Sequence, residues 1–214
     1  MPIKIDKREY RKIDATLMET RAAEDGQMIV EGYATTFNQP YELWREKDMI
    51  VNEQVDANAF DETDTSDTIM QYDHEGRVFA RVKNGTLTIA PDEHGLKITA
   101  NLGGTEIGRQ LYEEIRGGYT DKMSFGFTVA GQKRERSKDA DGNTVILRTI
   151  TKVGRLFDVS AVSLPANDAT EISSRTIGDG LIAEAMEEVR AEEERQRRIG
   201  EIRKILRGEE NHDE

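Results

Sequence analysis

The 214-residue chain sets 42 Asp and Glu against 30 Lys and Arg, a formal net charge of −12, and contains three histidines and no cysteine. Disulfides, thiolate metal sites and cysteine nucleophiles are thereby excluded, a histidine-rich metal centre has too few ligands, and the acidic balance disfavours the counterion-displacing grip by which proteins hold nucleic acid. No apolar run is long enough to span a bilayer and the opening MPIKIDKREYRKID lacks the apolar stretch of a signal peptide, so neither a membrane partner nor a cofactor is expected.

A chain of this length holds one sizeable domain and an appendage. Residues 1–26 are polar, end in the turn-like AAEDGQ, and read as a loosely held N-terminal arm or strand. From Met28 the pattern turns to β. MIVEGYATTF and MIVNEQVDANAF alternate apolar and polar positions, and DETDTSD then interrupts as a loop or helix cap. The stretch IMQYDHEGRVFARVKNGTLTIAPDEHGLKITANL is punctuated at Asn84-Gly85 and His94-Gly95 and predicts a meander, with Asn-Gly as its hairpin signal. A helix follows in TEIGRQLYEEIRGG. Thr105 is its N-cap, Ile107, Leu111 and Ile115 make its stripe, and Gly117-Gly118 stops it.

Beyond the helix, DKMSFGFTVAGQ predicts a strand with Met123, Phe125 and Phe127 on one face and Ser124, Gly126 and Thr128 on the other. A solvated hairpin through QKRERSKDADG leads to VILRTITKVGRLFDVSAVSLPAN, strand again up to Pro165. The fold class expected is α+β, mainly β, a closed or partly closed barrel with one or more flanking helices and a charged C-terminal helix. Its domain spans 27–170, and 171–214 form a charged helical tail whose composition changes sharply near residue 178. Ile182, Met186, Val189, Ile199, Ile202 and Leu206 make a thin apolar stripe there, suited either to lying on the domain or to binding a partner. No internal repeat is visible.

Chemistry has few candidates. A serine nucleophile needs a base, and a base needs a group to hold its ring. His94 sits in a turn and His212 in the acidic tail, whereas His74 follows the apolar run Ile69-Met70-Gln71-Tyr72 where a strand ends. His74 is either a base or a satisfied polar residue at a strand end. Ser124 lies between Met123 and Phe125. It is either a nucleophile, with Gly126 leaving room above its hydroxyl for a substrate backbone, or a small residue needed for packing; Ser160 and Ser163 compete with it. Asp158 interrupts Leu156-Phe157-Asp158-Val159-Ser160, where a carboxylate needs a partner, in a site or in a structural ion pair.

At these residues the sequence resembles the prohead proteases of tailed bacteriophages, relatives of the herpesvirus assemblins. The marks stand in order between Gly32 and Asn167. They are Glu31-Gly32-Tyr33-Ala34 with Phe37, Glu53 through Ala59-Phe60, Tyr72-Asp73-His74, Asp92-Glu93-His94-Gly95-Leu96, Met123-Ser124-Phe125-Gly126-Phe127, and Asp158-Val159-Ser160-Ala161-Val162-Ser163-Leu164-Pro165-Ala166-Asn167. The resemblance implies an assemblin-like barrel and a serine endopeptidase inside the procapsid, in the host cytoplasm. Its substrates would be scaffold protein and the scaffolding segment of the major capsid protein, and often itself, and it could work as a homodimer. It places the family's serine on Ser124, its histidine on His74 and its last, acidic position on Asp158, where assemblins carry a second histidine. Assemblins take oxyanion donors from arginines after that strand. None is paired there in this chain, so backbone N–H groups around Ala166 and Asn167 are expected instead. The rival expectation is a non-enzymatic assembly module that binds scaffold.

Overall fold

The computed structural model describes residues 8–22 and 27–162, together with 183, 187, 191 and 194–202 of the tail. Residues 8–162 contribute, among those described, eleven strands and one α-helix in chain order: β1 (Glu9–Leu17), β2 (Glu19–Ala22), β3 (Met28–Thr36), β4 (Tyr41–Glu46), β5 (Met49–Val55), β6 (Ile69–Tyr72), β7 (Glu75–Arg81), β8 (Leu87–Pro91), β9 (Gly95–Asn101), α1 (Glu106–Arg116), β10 (Lys122–Lys138) and β11 (Thr144–Val162). The larger sheet runs β1-β10-β11-β5-β4, with β6 paired to β11 and β7 to β6; the smaller runs β2-β3-β9-β8. Among the described residues neither set of ladders closes on itself, so the protein is mainly β with two open sheets where a closed or partly closed barrel was expected.

The organising element is the long β10–β11 hairpin. Its turn is held by Asp139, whose carboxylate accepts from the backbone N–H groups of Asp141 and Asn143. The nineteen residues of β11 serve two partners on one edge: β5 lies parallel along Thr144–Ile150 and β6 parallel along Asp158–Ala161. The inner face carries Phe125 and Phe127, stacked at 4.6 Å, in a core shared with Val30, Leu96, Ile98, Met70 and Leu156.

Two local expectations are corrected. Asn84-Gly85 does not close a hairpin. It ends a 3-10 turn at Val82–Asn84, with Gly85 at φ 74°, and carries the chain from β7 in one sheet to β8 in the other. The helix is capped at Thr105 as expected, its hydroxyl accepting from the Gly108 N–H. Its buried face, however, is Gly108, Leu111, Tyr112 and Ile115, because Gly108 seats against the Leu102 carbonyl and rotates Ile107 towards the surface.

The segment read as a loosely held strand or arm supplies two strands. β1 is an edge strand antiparallel to β10, with Lys12 opposite Ser124, and β2 pairs with β3. In the tail, residues 194–202 are helical; the other residues of the expected terminal helix lie largely outside those described.

Candidate active site

Three adjacent strands carry the site. Ser124 on β10 faces Ser160 on β11, and Gly126 faces Asp158, so the hydroxyl and the carboxylate are diagonal neighbours across one ladder. On the other edge of β11, β6 brings Tyr72 opposite Ala161. The chain then reverses through Asp73 and His74 alone, both with positive φ (47° and 62°), and Tyr72 pairs with Glu75. Two successive left-handed residues make the tight turn whose twist suits a hairpin. They are costly for non-glycine residues, the kind of backbone strain that functional sites store. The Asp73 N–H donates to the Ala161 carbonyl at 2.9 Å and anchors the turn on β11. Its reversal swings the imidazole of His74 back over β11.

The three side chains meet there. His74 Nε2 lies 2.6 Å from Ser124 Oγ, and Nδ1 lies 2.5 Å from Asp158 Oδ1. An ionised carboxylate only accepts, so Nδ1–H donates to Asp158. Nε2 of the neutral ring is then left to accept the serine proton. Ser160, weighed in the sequence as a rival nucleophile, instead donates its hydroxyl to Asp158 Oδ1 at 2.9 Å. Asp158 and Ser124 are 2% and 1% exposed, and the His74 side chain 6%.

That burial overturns one expectation. Gly126 does not leave room for a substrate above the hydroxyl. A Cβ at Gly126 would meet the Asp158 carboxylate and would lie 2.8 Å from Cε1 of Tyr10, so the glycine makes space for the carboxylate and for β1. Tyr10 sets its ring edge-on to His74, centroids 4.5 Å apart, and the Arg11 carbonyl lies 2.9 Å from Ser124 Oγ as a second acceptor for its one proton. A strand of the same chain thus covers Ser124 and His74.

Beneath β1 lies a charge cluster that the sequence reading missed. Glu53 of β5, fully buried, accepts from Arg11 Nη2 at 3.0 Å, Arg148 Nη1 at 2.5 Å and the Tyr41 hydroxyl at 2.5 Å, and also from Arg11 Nε. Arg148 grips Glu9 with both terminal nitrogens, at 2.9 and 3.1 Å. Burial alone would push the Glu53 carboxyl up, but the two guanidiniums outweigh it and hold it below the ordinary carboxylate value. Burial would likewise lower the Arg11 guanidinium, and Glu53 instead raises it. Burial, with Glu53 beside it, pushes the Tyr41 phenol well above its usual range. Glu53 occupies an inward position of β5 among Val51 and Val55, which was its only local signal.

The other candidates fall elsewhere. His94 is exposed in the β8–β9 turn with its ring edge on Tyr33, and Ser163, Ala166, Asn167 and His212 lie outside the described residues. A cleft of about 620 Å³ opens between the β6–β7 turn and α1, lined by Tyr72, Asp73, Glu75, Phe79, Ile107 and Leu111 among others; Ser124, His74 and Asp158 do not line it. Among the described residues no three acidic or imidazole groups are gathered to hold a metal ion, and no helix is long and apolar enough to cross a membrane.

The sequence profile of the caudovirus prohead serine proteases matches residues 16–189, spanning His74, Ser124 and Asp158. The chain belongs to that family. Among solved structures, this prohead protease is similar to the capsid assembly protease of bacteriophage T4, at 10% identity and a TM-score of 0.37, over 73% of this chain and 99% of the other. No curated protein matches it. The family match begins within β1, at residue 16, so Glu9, Tyr10 and Arg11 lie ahead of it.

Proposed function

We propose that Ser124 is the nucleophile of this prohead protease, His74 its general base and Asp158 the group that orients the base. The reading is supported above all by the unbroken hydrogen-bond chain from the Ser124 hydroxyl through both nitrogens of His74 to Asp158. In the reaction, Nε2 takes the hydroxyl proton as Oγ adds to the scissile carbonyl carbon. The same proton is then handed to the departing amine as the C–N bond breaks, and water resolves the acyl-enzyme by the reverse use of His74. Asp158 fixes the Nδ1–H tautomer and offsets the charge on the ring as it becomes imidazolium. The oxyanion requires preorganised donors, for which the backbone N–H groups around Ala166 and Asn167 remain the proposal.

The substrates proposed are the scaffold protein and the scaffolding segment of the capsid protein, cut inside the procapsid in the host cell. The test is coexpression with scaffold and capsid protein, wild type against Ser124→Ala. Wild type yields cleaved products and Ser124→Ala yields none. Cleavage at an unchanged rate in the variant would remove Ser124 from the mechanism, and scaffold bound but never cut by the wild type would favour an assembly module.

A further inference from the structure

β1 lies on the site as an extended peptide would, adding a strand to the free edge of β10. The Arg11 carbonyl is the peptide group against the Ser124 hydroxyl, so Arg11 stands where the residue before a scissile bond would stand. Its side chain runs into the buried floor made by Glu53, Tyr41 and Arg148, with its guanidinium 5.6 Å from the centroid of the Phe127 ring. Two residues earlier, on the same face of the strand, Glu9 takes the fork of Arg148. The buried groups thus read a two-part pattern, an acid and then an arginine two positions on.

β1 carries its own charge balance. Were it to leave, the cluster would lose one positive and one negative side chain together, Arg11 and Glu9, and Glu53 and Arg148 would keep the pairing they make at 2.5 Å. A buried charge left without a partner is what makes such clusters hard to open, and here neither charge is stranded. The serine hydroxyl has one proton and two acceptors within reach, His74 Nε2 and the Arg11 carbonyl. While β1 is seated, its carbonyl oxygen competes with the base for that proton and shields the site.

The pattern recurs in the chain. Glu9-Tyr10-Arg11-Lys12-Ile13 is matched at four of five positions by Glu201-Ile202-Arg203-Lys204-Ile205. Glu201 and Ile202 are exposed at the end of the helical stretch 194–202.

We infer that Glu53 and Arg148 form a specificity pocket for an arginine followed by the scissile bond and preceded two residues earlier by an acid. The resident occupant of that pocket is β1, and its substrate within the chain is the tail bond Arg203–Lys204. The inference rests on Ser124 being the nucleophile. Ser124 Oγ would add to the Arg203 carbonyl carbon as His74 takes its proton, the C–N bond to Lys204 would break with that proton going to the departing amine, and water would hydrolyse the resulting ester to release the Arg203 carboxylate and return a proton to Oγ.

The test maps every new terminus by mass spectrometry in the full-length chain coexpressed with scaffold. A terminus after Arg203 is expected in wild type and none in Ser124→Ala. Arg203→Ala should reduce that cut at least tenfold and Glu201→Ala several-fold, with scaffold cleavage unchanged in both. Cuts after residues other than arginine, a tail cut indifferent to Arg203→Ala, or scaffold cleaved while Arg203–Lys204 stays whole would overturn the pocket assignment and leave Ser124 in place. No Ser124-dependent cut in either protein would overturn both.

Discussion

At the scale of single residues, the site turns on which atom of His74 carries the proton. Asp158 accepts at 2.5 Å and so holds the hydrogen on Nδ1. In Asp158→Asn an amide of the same size can donate instead, which favours the hydrogen on Nε2 and leaves no base for Ser124. Cleavage of scaffold should fall by about three to four orders of magnitude with the fold retained, since tautomer loss of this kind costs on that order in triad enzymes; rate measurement alongside circular dichroism checks both halves. A loss of only a few-fold would reduce Asp158 to a structural partner. Glu53 gives a prediction of a different kind. Its carboxyl lies below its ordinary value of 4.5 because two guanidiniums surround it. A carboxyl held low contributes stability that is fully present above the ordinary value and is lost as pH falls through the lowered one. The hold on β1 should therefore be unchanged from neutral pH down to about that ordinary value and weaken below it, read as faster amide exchange in β1 than in β9. Equal acceleration in both strands would count against it.

At the scale of elements, alternation of apolar and polar residues was enough to find β3, β5 and β10, even though β10 is buried on both faces from Met123 to Phe127. It failed where the chain's context decides. Asn84-Gly85 carries the local signature of a hairpin, yet its flanking strands pair elsewhere, β7 with β6 and β8 with β9. Conversely, Asp73 and His74 form a two-residue turn that contains no glycine, so nothing local announced it. A close three-way contact between elements lies at Gly126, where β1, β10 and β11 meet through Tyr10 and Asp158. Gly126→Ala puts a methyl into that contact. Overpacking of this sort costs about 1–3 kcal/mol, and the displaced group is either Asp158 or the β1 strand. The urea midpoint should drop accordingly; an alanine variant as stable as wild type would mean the three strands are less closely packed than described.

At the scale of the whole molecule, His74, Ser124 and Asp158 stand 50 and 34 positions apart in sequence, and their meeting depends on β6 running parallel to one half of β11 while β10 returns along the other edge. Residue chemistry could nominate each of the three, as a histidine at a strand end, a serine between Met123 and Phe125 and a carboxylate amid apolar residues. The parallel pairing that assembles them has no local sequence signal. The Arg11–Glu53–Arg148 cluster was illegible for the same reason, its members being separated by 42 and 95 positions. Nor could the reading of residues 1–26 as a loosely held strand or arm anticipate that β1 is laid over Ser124. The most direct measurement is covalent labelling with a fluorophosphonate in a sample that is actively cutting scaffold, the adduct located by peptide mass spectrometry. The account predicts the adduct on Ser124 and its loss in His74→Ala; scaffold cut at full rate while Ser124 stays unmodified would contradict it.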